Sequence, residues 1–145
     1  MLNLNPLFER IREIERQGPQ LLRLGANIVK QDIIERTMSG EDVEGNEFIE
    51  YTPRYQKKKQ LSGLYSGHVD HHWSGALFNS IEYYDGADNS VEVFFSEEYV
   101  PIAQGLQIRW GRHWWGVNQI TADKMKIEIR DAMRKVLKGE IVSSQ

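Results

Sequence analysis

The stretch S-I-E-Y-Y-D-G-A-D-N-S-V-E-V-F-F-S, residues 80–96, decides the class of fold. Apolar and polar residues alternate in both of its halves, the apolar set being Ile81, Tyr83, Val91, Val93 and Phe95. Alternation with a period of two is typical of strands that bury one face. The intervening D-G-A-D-N-S is rich in the residues that turns favour. This stretch therefore predicts a β-hairpin, which forms a small antiparallel sheet.

Helical periodicity precedes the hairpin in an N-terminal part that spans residues 1–39. Asn5 and Pro6 suit a helix start, because Asn caps and Pro fits the first turn. Gly18-Pro19 predicts a break, so we expect two N-terminal helices. The second carries an apolar stripe at helical spacing, formed by Leu22, Ala26, Val29 and Ile33.

Residues 40–72 differ from both neighbouring regions. They contain several glycines and scattered aromatics, and they have no sustained period. We expect an extended arm or large loop, with a short strand at residues 47–51 and a short helix that starts at Pro53. Long irregular segments in compact domains are usually functional or ordered by a partner.

After the hairpin the helical pattern returns, within a region that spans residues 73–138. Ser96 can cap a short helix that runs to about residue 104. A final amphipathic helix is expected over about residues 121–138, with a stripe of Met125, Ile129, Ala132, Met133 and Val136. The order of elements predicts a single α+β domain over residues 1–145.

Composition excludes several classes of function. The chain of 145 residues has no cysteine, which rules out disulfides, thiolate metal sites and a cysteine nucleophile. Its net charge of -3 argues against a general nucleic-acid binder. No apolar run approaches the roughly 20 residues that span a bilayer. We therefore expect a protein made in a cytoplasm, with no membrane partner and no cofactor.

The run H-V-D-H-H-W, residues 68–73, is the strongest candidate for metal chemistry. Imidazole and carboxylate groups together suit zinc or a related divalent ion. In an extended segment, His68, Asp70 and His72 share one side. The alternative is a polar loop that happens to carry histidines. A small metal-dependent hydrolase or nuclease that uses these groups, with His113, is the rival function.

The basic run K-K-K, residues 57–59, follows Arg54 and Tyr55. A basic run with an aromatic residue is a weak signal for nucleic acid, and the acidic balance of the chain weakens it further. A solvated helix face and a contact with an acidic patch of a protein partner are the other interpretations. The chain shows no nucleophile elbow, phosphate-binding glycine loop or paired catalytic carboxylates, so we expect no enzyme.

Three of the four tryptophans lie in R-W-G-R-H-W-W-G, residues 109–116. Some of these rings could pack into the core. Trp and Arg also dominate binding hot spots, because each offers a large contact area. We interpret the loop as a protein interface that is formed by Arg109, Trp110, Arg112, Trp114 and Trp115.

Four blocks of sequence resemble, in order, those of the phage virion-morphogenesis proteins, a family of tail-component, tail-completion and head–tail joining proteins. The first block matches at Gly40, Asp42, Gly45, Phe48, Thr52, Pro53, Tyr55 and Lys58. The second is W-S-G-A-L-F-N-S-I (residues 73–81), the third is Y-V-P-I-A-Q-G (residues 99–105), and the fourth is G-R-H-W-W-G (residues 111–116). With the final helix that follows the fourth block, the resemblance spans residues 40–138, about two thirds of the chain.

The resemblance implies a non-enzymatic virion protein at the neck or at the head-proximal end of the tail. It implies several copies in a ring of about six, in contact with neighbouring neck, connector or tail proteins. Contact with DNA would be incidental to its passage through the neck. In the arm, the interface residues that we expect are Phe48, Tyr51, Arg54, Tyr55 and Lys58.

Overall fold

The computed structural model describes residues 5–72, 75–87, 89–109, 111 and 113–139. Its elements in chain order are α1 (Asn5–Met38), α2 (Pro53–Leu61), α3 (Ala76–Asn79), β1 (Ile81–Asp85), β2 (Val91–Phe95), a 3-10 helix (Glu97–Tyr99), α4 (Val100–Arg109) and α5 (Gln119–Leu137). The two strands form one antiparallel sheet. The predicted α+β class is confirmed at this level.

The N-terminal part is one helix, so the prediction of two helices was wrong. Helix α1 runs through Pro19 without ending. Proline removes one hydrogen bond from a helix and clashes with the preceding turn, but it does not stop a helix that packing holds on both sides. Gln17 and Leu21, which flank Pro19, are both buried. The buried stripe therefore continues across the proline.

Helix α1 ends in a Schellman motif centred on Gly40. The N–H of Gly40 donates to Thr37 O at 3.1 Å, and the N–H of Glu41 donates to Arg36 O at 3.1 Å. Gly40 has a φ of 89°, the left-handed conformation that this cap requires. The cap turns the chain back towards the body of its own unit.

Residues 40–72 do not form an extended arm, so the prediction of an arm was wrong. The short helix at Pro53 is confirmed as α2, but in place of the strand at residues 47–51 there is a single bridge between Glu41 and Glu47. The segment also supplies buried side chains, namely those of Phe48, Tyr51, Lys59, Val69, Asp70 and His71. Burial on this scale marks it as part of the folded body.

The hairpin and the helices that follow it were predicted correctly. The N–H of Gly86 donates to Ser90 O at 2.9 Å and closes the turn. Ile81 and Phe95 are buried, whereas Glu82 and Glu92 are exposed, as the alternation requires. Helices α4 and α5 lie within a few residues of their expected positions.

The chain forms two compact units. The first contains the described residues before Lys30, Tyr83–Glu92 and the described residues from Gln119 onwards. In this unit α5 contacts α1, since Met125 Sδ would lie 3.2 Å from a Cβ added to Gly25. The second contains Lys30–Glu82 and Val93–Asn118. No described helix combines the length and the apolar character needed to cross a bilayer. The single-domain expectation stays a prediction.

Candidate binding groove and the network behind it

The histidines of the H-V-D-H-H run point to different surroundings. The His68 ring Nε2 lies 2.6 Å from Met38 O, so it caps the C-terminal end of α1. A carbonyl oxygen only accepts, and this nitrogen therefore carries the proton. The ring of His71 stacks on Phe48 with centroids 4.5 Å apart, and the ring of His72 stacks on Phe78 at 6.3 Å.

Asp70, the carboxylate of the same run, forms a buried ion pair with Lys59. Lys59 Nζ lies 2.5 Å from Asp70 Oδ1, and its side chain is 0 % exposed. Ser66 Oγ donates to the other oxygen, Asp70 Oδ2, at 2.8 Å. The N–H of His72 donates to Oδ1 at 3.0 Å. This carboxylate is therefore fully engaged within the protein.

The Tyr51 hydroxyl joins the two ends of this pair. It donates to Asp70 Oδ1 and accepts from Lys59 Nζ, each at 3.2 Å. It also accepts from the backbone N–H groups of Asp70 and His71, each at 3.2 Å. The Lys59 ammonium lies 4.8 Å from the centroid of the Tyr51 ring. We call Tyr51, Lys59 and Asp70 the buried network; together with the exposed Ser66, it holds residues 66–71 against α2.

Hydrogen bonding keeps both members of the pair charged. Burial alone would lower the pKa of Lys59, but hydrogen bonds to Asp70 and Tyr51 outweigh it and raise that pKa above its ordinary 10.5. Burial alone would raise the pKa of Asp70, but hydrogen bonds from Lys59 and Ser66 hold it below its ordinary 3.8. The pair is ionised throughout the interval between these values.

This arrangement separates the groups that the metal hypothesis would need together. His68, His71 and His72 take three separate positions, and Asp70 is paired with Lys59. His113 is exposed, and its carbonyl accepts from the N–H of Val43 at 2.8 Å. Within the described part of the chain, no group of three His, Cys, Asp or Glu side chains is placed to hold a metal ion.

Trp114 is a core residue and is 0 % exposed. Its ring contacts His71 edge-on at 5.4 Å, Phe78 at 6.5 Å and Phe95 at 5.3 Å, as centroid distances. Among the described residues its indole Nε1 has no hydrogen-bond partner, so the ring is held by packing alone. Trp115 is half-buried, and its ring lies 4.4 Å from that of Phe95.

Arg36 attaches the tryptophan loop to the end of α1. Its Nη2 donates to Trp114 O at 3.2 Å and to Gly116 O at 3.1 Å. Its Nη1 pairs with Asp32 one turn earlier on the helix. The buried guanidinium thus satisfies two loop carbonyls. These bonds attach the loop to α1, and its role as a protein interface stays a prediction.

The predicted interface residues divide into three groups. Phe48, Tyr51 and Trp114 are buried within the second unit, although Tyr51 also lines the groove described below, and their role at an interface stays a prediction. Trp115 is partly accessible. Trp110, Arg112 and the side chain of Arg109 lie outside the described residues. Arg54, Tyr55 and Lys58 are exposed on α2, where they line a groove.

This groove has a volume of about 840 Å³. Helix α2 supplies one set of lining residues, Arg54, Tyr55 and Lys58, with Thr52 before it. The 3-10 helix and α4 supply Tyr99, Ile102 and Leu106. The buried residues that close its base are Tyr51, His71 and Phe78, beside the part-buried His72, Gly75, Ala76 and Leu77. All of them belong to the second unit.

The groove combines exposed apolar side chains with a cationic rim. Ile102 is 52 % exposed and Tyr55 is 40 % exposed. Arg54 and Lys58 supply positive charge, and none of the described residues that line the groove is a carboxylate. In a chain with 21 acidic and 18 basic residues, this is a local reversal of the overall balance. The arrangement suits binding of an apolar, negatively charged group.

The sequence contained a signal for the missed wall of the groove. Tyr99, Ile102 and Leu106 are separated by three and four residues, a spacing that places them on one face of a helix. The pairing of Lys59 with Asp70 had no such signal, because it depends on the path of the intervening loop. The basic run at residues 57–59 is not uniform, because the structure buries Lys59 and leaves Lys58 exposed.

Comparison of this chain with protein-family models, with curated proteins and with solved structures finds no match. The resemblance to the virion-morphogenesis proteins therefore rests on the four sequence blocks themselves.

Proposed function

We propose that this chain is a non-enzymatic structural protein of a bacteriophage particle. It acts at the neck or at the head-proximal end of the tail, where it completes the tail or joins it to the head. Several copies form a ring around the particle axis and contact neighbouring neck, connector or tail proteins. It is made in the cytoplasm of the bacterial host and resides in the virion.

One observation carries this proposal: three of the four blocks behind the resemblance meet at the same groove. The first block contributes Arg54, Tyr55 and Lys58, the second contributes Ala76 and its neighbours, and the third contributes Tyr99 and Ile102. The fourth block places Trp114 against Phe78 behind the groove. Blocks that are distant in the sequence thus converge on one surface.

A surface of this kind fits a protein that works by assembly. In a closed ring, each subunit uses two different patches, and one patch meets the other patch of the neighbour. Exposed apolar surface that is rimmed by polar groups marks interaction sites in soluble proteins. The groove is a candidate for one of these patches, whether a neighbouring copy or another particle protein fills it.

The test is a deletion of this coding sequence in the phage or prophage that carries it. We expect particles in which heads and tails accumulate separately, and we expect the unmutated protein supplied in trans to restore joining. Normal infectious yield from the deletion would contradict the proposal. Native mass spectrometry of the purified protein adds a second readout, because a metal-free ring supports assembly.

The rival function, a metal-dependent hydrolase, predicts a different spectrum. It needs one metal ion per chain and a site that includes His68, Asp70 and His72. The separate partners of these side chains do not favour it. A monomer with one tightly bound metal ion per chain, which is lost in His72→Ala, would establish the rival and overturn the structural role.

A further inference from the structure

The shape of the groove favours a helical occupant. Two of its walls are helices, α2 and the continuous 3-10 and α4 segment. Tyr99, Ile102 and Leu106 form a ridge along the second wall, and Tyr55 lies on the first. An extended peptide would gain its affinity from the free edge of a strand, and no strand residue lines this groove. Helix-in-groove recognition uses apolar walls of this kind.

The charge of the rim defines the polar part of the occupant. Arg54 is exposed in the first turn of α2, where it lines the groove. It forms no ion pair with a described residue. Arginine is suited to carboxylates because its planar fork donates two parallel hydrogen bonds. Since none of the described lining residues is a carboxylate, an incoming acidic group meets no like charge from them.

The base of the groove is built to keep its shape. Tyr51 and His71 belong to segments that the buried network holds together, and Phe78 packs against Trp114. A preformed site saves the free energy of ordering on binding. Ile102 and Tyr55 are therefore held in place by a preformed groove. Their exposed apolar surface would be buried when a partner binds.

We propose that this groove binds an acidic amphipathic helix of a partner chain. Apolar side chains of that helix enter between Tyr55 and Ile102, and its carboxylates pair with Arg54 and the neighbouring rim. The proposal names the class of partner for the site in the proposed function and relies on that function only for the origin of the partner. The groove chemistry can therefore be tested alone.

The test uses the full-length protein and two fluorescent peptides of about 16 residues, with leucines at the i, i+3, i+4 and i+7 spacing of groove-binding helices. One peptide carries glutamates at its remaining charged positions, and the other carries lysines. Measured by fluorescence anisotropy, the Kd of the acidic peptide should be at least about tenfold lower than that of the lysine peptide. Raising the salt concentration from about 0.05 M to about 0.5 M should weaken binding of the acidic peptide.

Three variants separate the groove from general charge effects. Ile102→Asp should weaken binding of the acidic peptide by more than about tenfold, because it places a carboxylate on the apolar wall. Arg54→Glu should weaken it by about tenfold. Arg130→Glu reverses an exposed cation of α5 that does not line the groove, and it should leave the Kd unchanged.

Equal binding of both peptides, no binding of the acidic peptide, or binding that Ile102→Asp leaves intact would each overturn the proposal. Self-association of the unmutated protein that Ile102→Asp abolishes, without peptide binding, would also overturn it and identify a second copy as the occupant. Acidic peptide binding together with normal particle joining in the deletion would uphold the groove and reject the virion role. The two proposals can therefore fail separately.

Discussion

Helix α2 has two sides with opposite properties. On one side, Lys59 is withdrawn from water and paired with Asp70 under the hydroxyl of Tyr51. On the other side, Arg54 and Lys58 are exposed at the groove. Adjacent lysines thus differ in burial: the Lys59 charge is paired inside the fold, and the Lys58 side chain is exposed at the groove. The basic run at residues 57–59 is therefore not one uniform charged surface.

The largest expected effect separates these two lysines directly. Lys59→Met removes the cation and leaves the Asp70 carboxylate buried without its charge partner, which should lower the free energy of unfolding by about 3–5 kcal/mol. Lys58→Met changes an exposed side chain and should stay within about 0.5 kcal/mol. Urea unfolding of both variants measures the difference.

A double variant guards against the case in which Lys59→Met does not fold. Lys59→Met combined with Asp70→Leu replaces the whole pair with apolar groups and should recover much of the loss. If Lys59→Met proves as stable as Lys58→Met, the buried side of α2 contributes no more than the exposed side. That result would contradict a stabilising role for the buried Lys59 charge.

Tyr51→Phe should have the next largest effect. The change removes the hydroxyl that bonds to Asp70, Lys59 and the backbone N–H of His71, and it keeps the ring at the base of the groove. Loss of hydrogen bonds to buried charged groups should cost about 1–3 kcal/mol. A neutral Tyr51→Phe would show that the hydroxyl is dispensable to the buried network.

The pH dependence of stability should report the same pair. The pKa of Asp70 is lowered, so its contribution is present above its ordinary value of 3.8 and is lost as pH falls through the folded-state pKa. The pKa of Lys59 is raised, so its contribution is present below 10.5 and is lost as pH rises through the folded-state pKa. The stabilisation should therefore form a plateau between these limits.

The double variant provides the reference for this measurement. Subtracting its unfolding free energy from that of the unmutated protein across pH isolates the pair from the other titrating groups. The difference should fall at both acidic and alkaline pH. A difference that did not change with pH would mean that the pair is not ionised in the fold.

The smallest expected effect on stability lies at the groove. Ile102→Ser and Arg54→Ala alter exposed side chains and should each change the unfolding free energy by about 0.5 kcal/mol or less. Their melting curves should overlay that of the unmutated protein, while binding of the acidic peptide weakens. Substantial destabilisation by either change would assign the exposed side of α2 and its facing wall to the core.

Local chemistry was sufficient to predict the hairpin, α2 and α5. Each rests on short-range rules: alternation around a turn, proline at a helix start, and an apolar stripe with a helical period. The same rules failed at Pro19, because packing on both sides of a proline cannot be read from its immediate neighbours. The prediction of an extended arm at residues 40–72 was wrong for a related reason, since the burial of this segment depends on contacts with distant parts of the chain.

The candidate site was predicted in part. Arg54, Tyr55 and Lys58, which the sequence places at an interface, are exposed at the groove, and their role in binding stays a prediction. Trp114 was chosen for its large aromatic surface, which serves a core as well as it serves an interface. Sequence alone could not separate these uses, because the buried position of Trp114 depends on Phe78, Phe95 and His71.

The attachment of the tryptophan loop by Arg36 has a consequence for biosynthesis. The contacts of Arg36 with Trp114 and Gly116 join residues 78 and 80 positions apart. During translation the end of α1 therefore leaves the ribosome long before its partners exist. Contacts of such long sequence separation are slow to form, because the closure entropy of the loop must be overcome first. We therefore expect the second unit to complete its folding late, after Trp114 and Gly116 have left the ribosome.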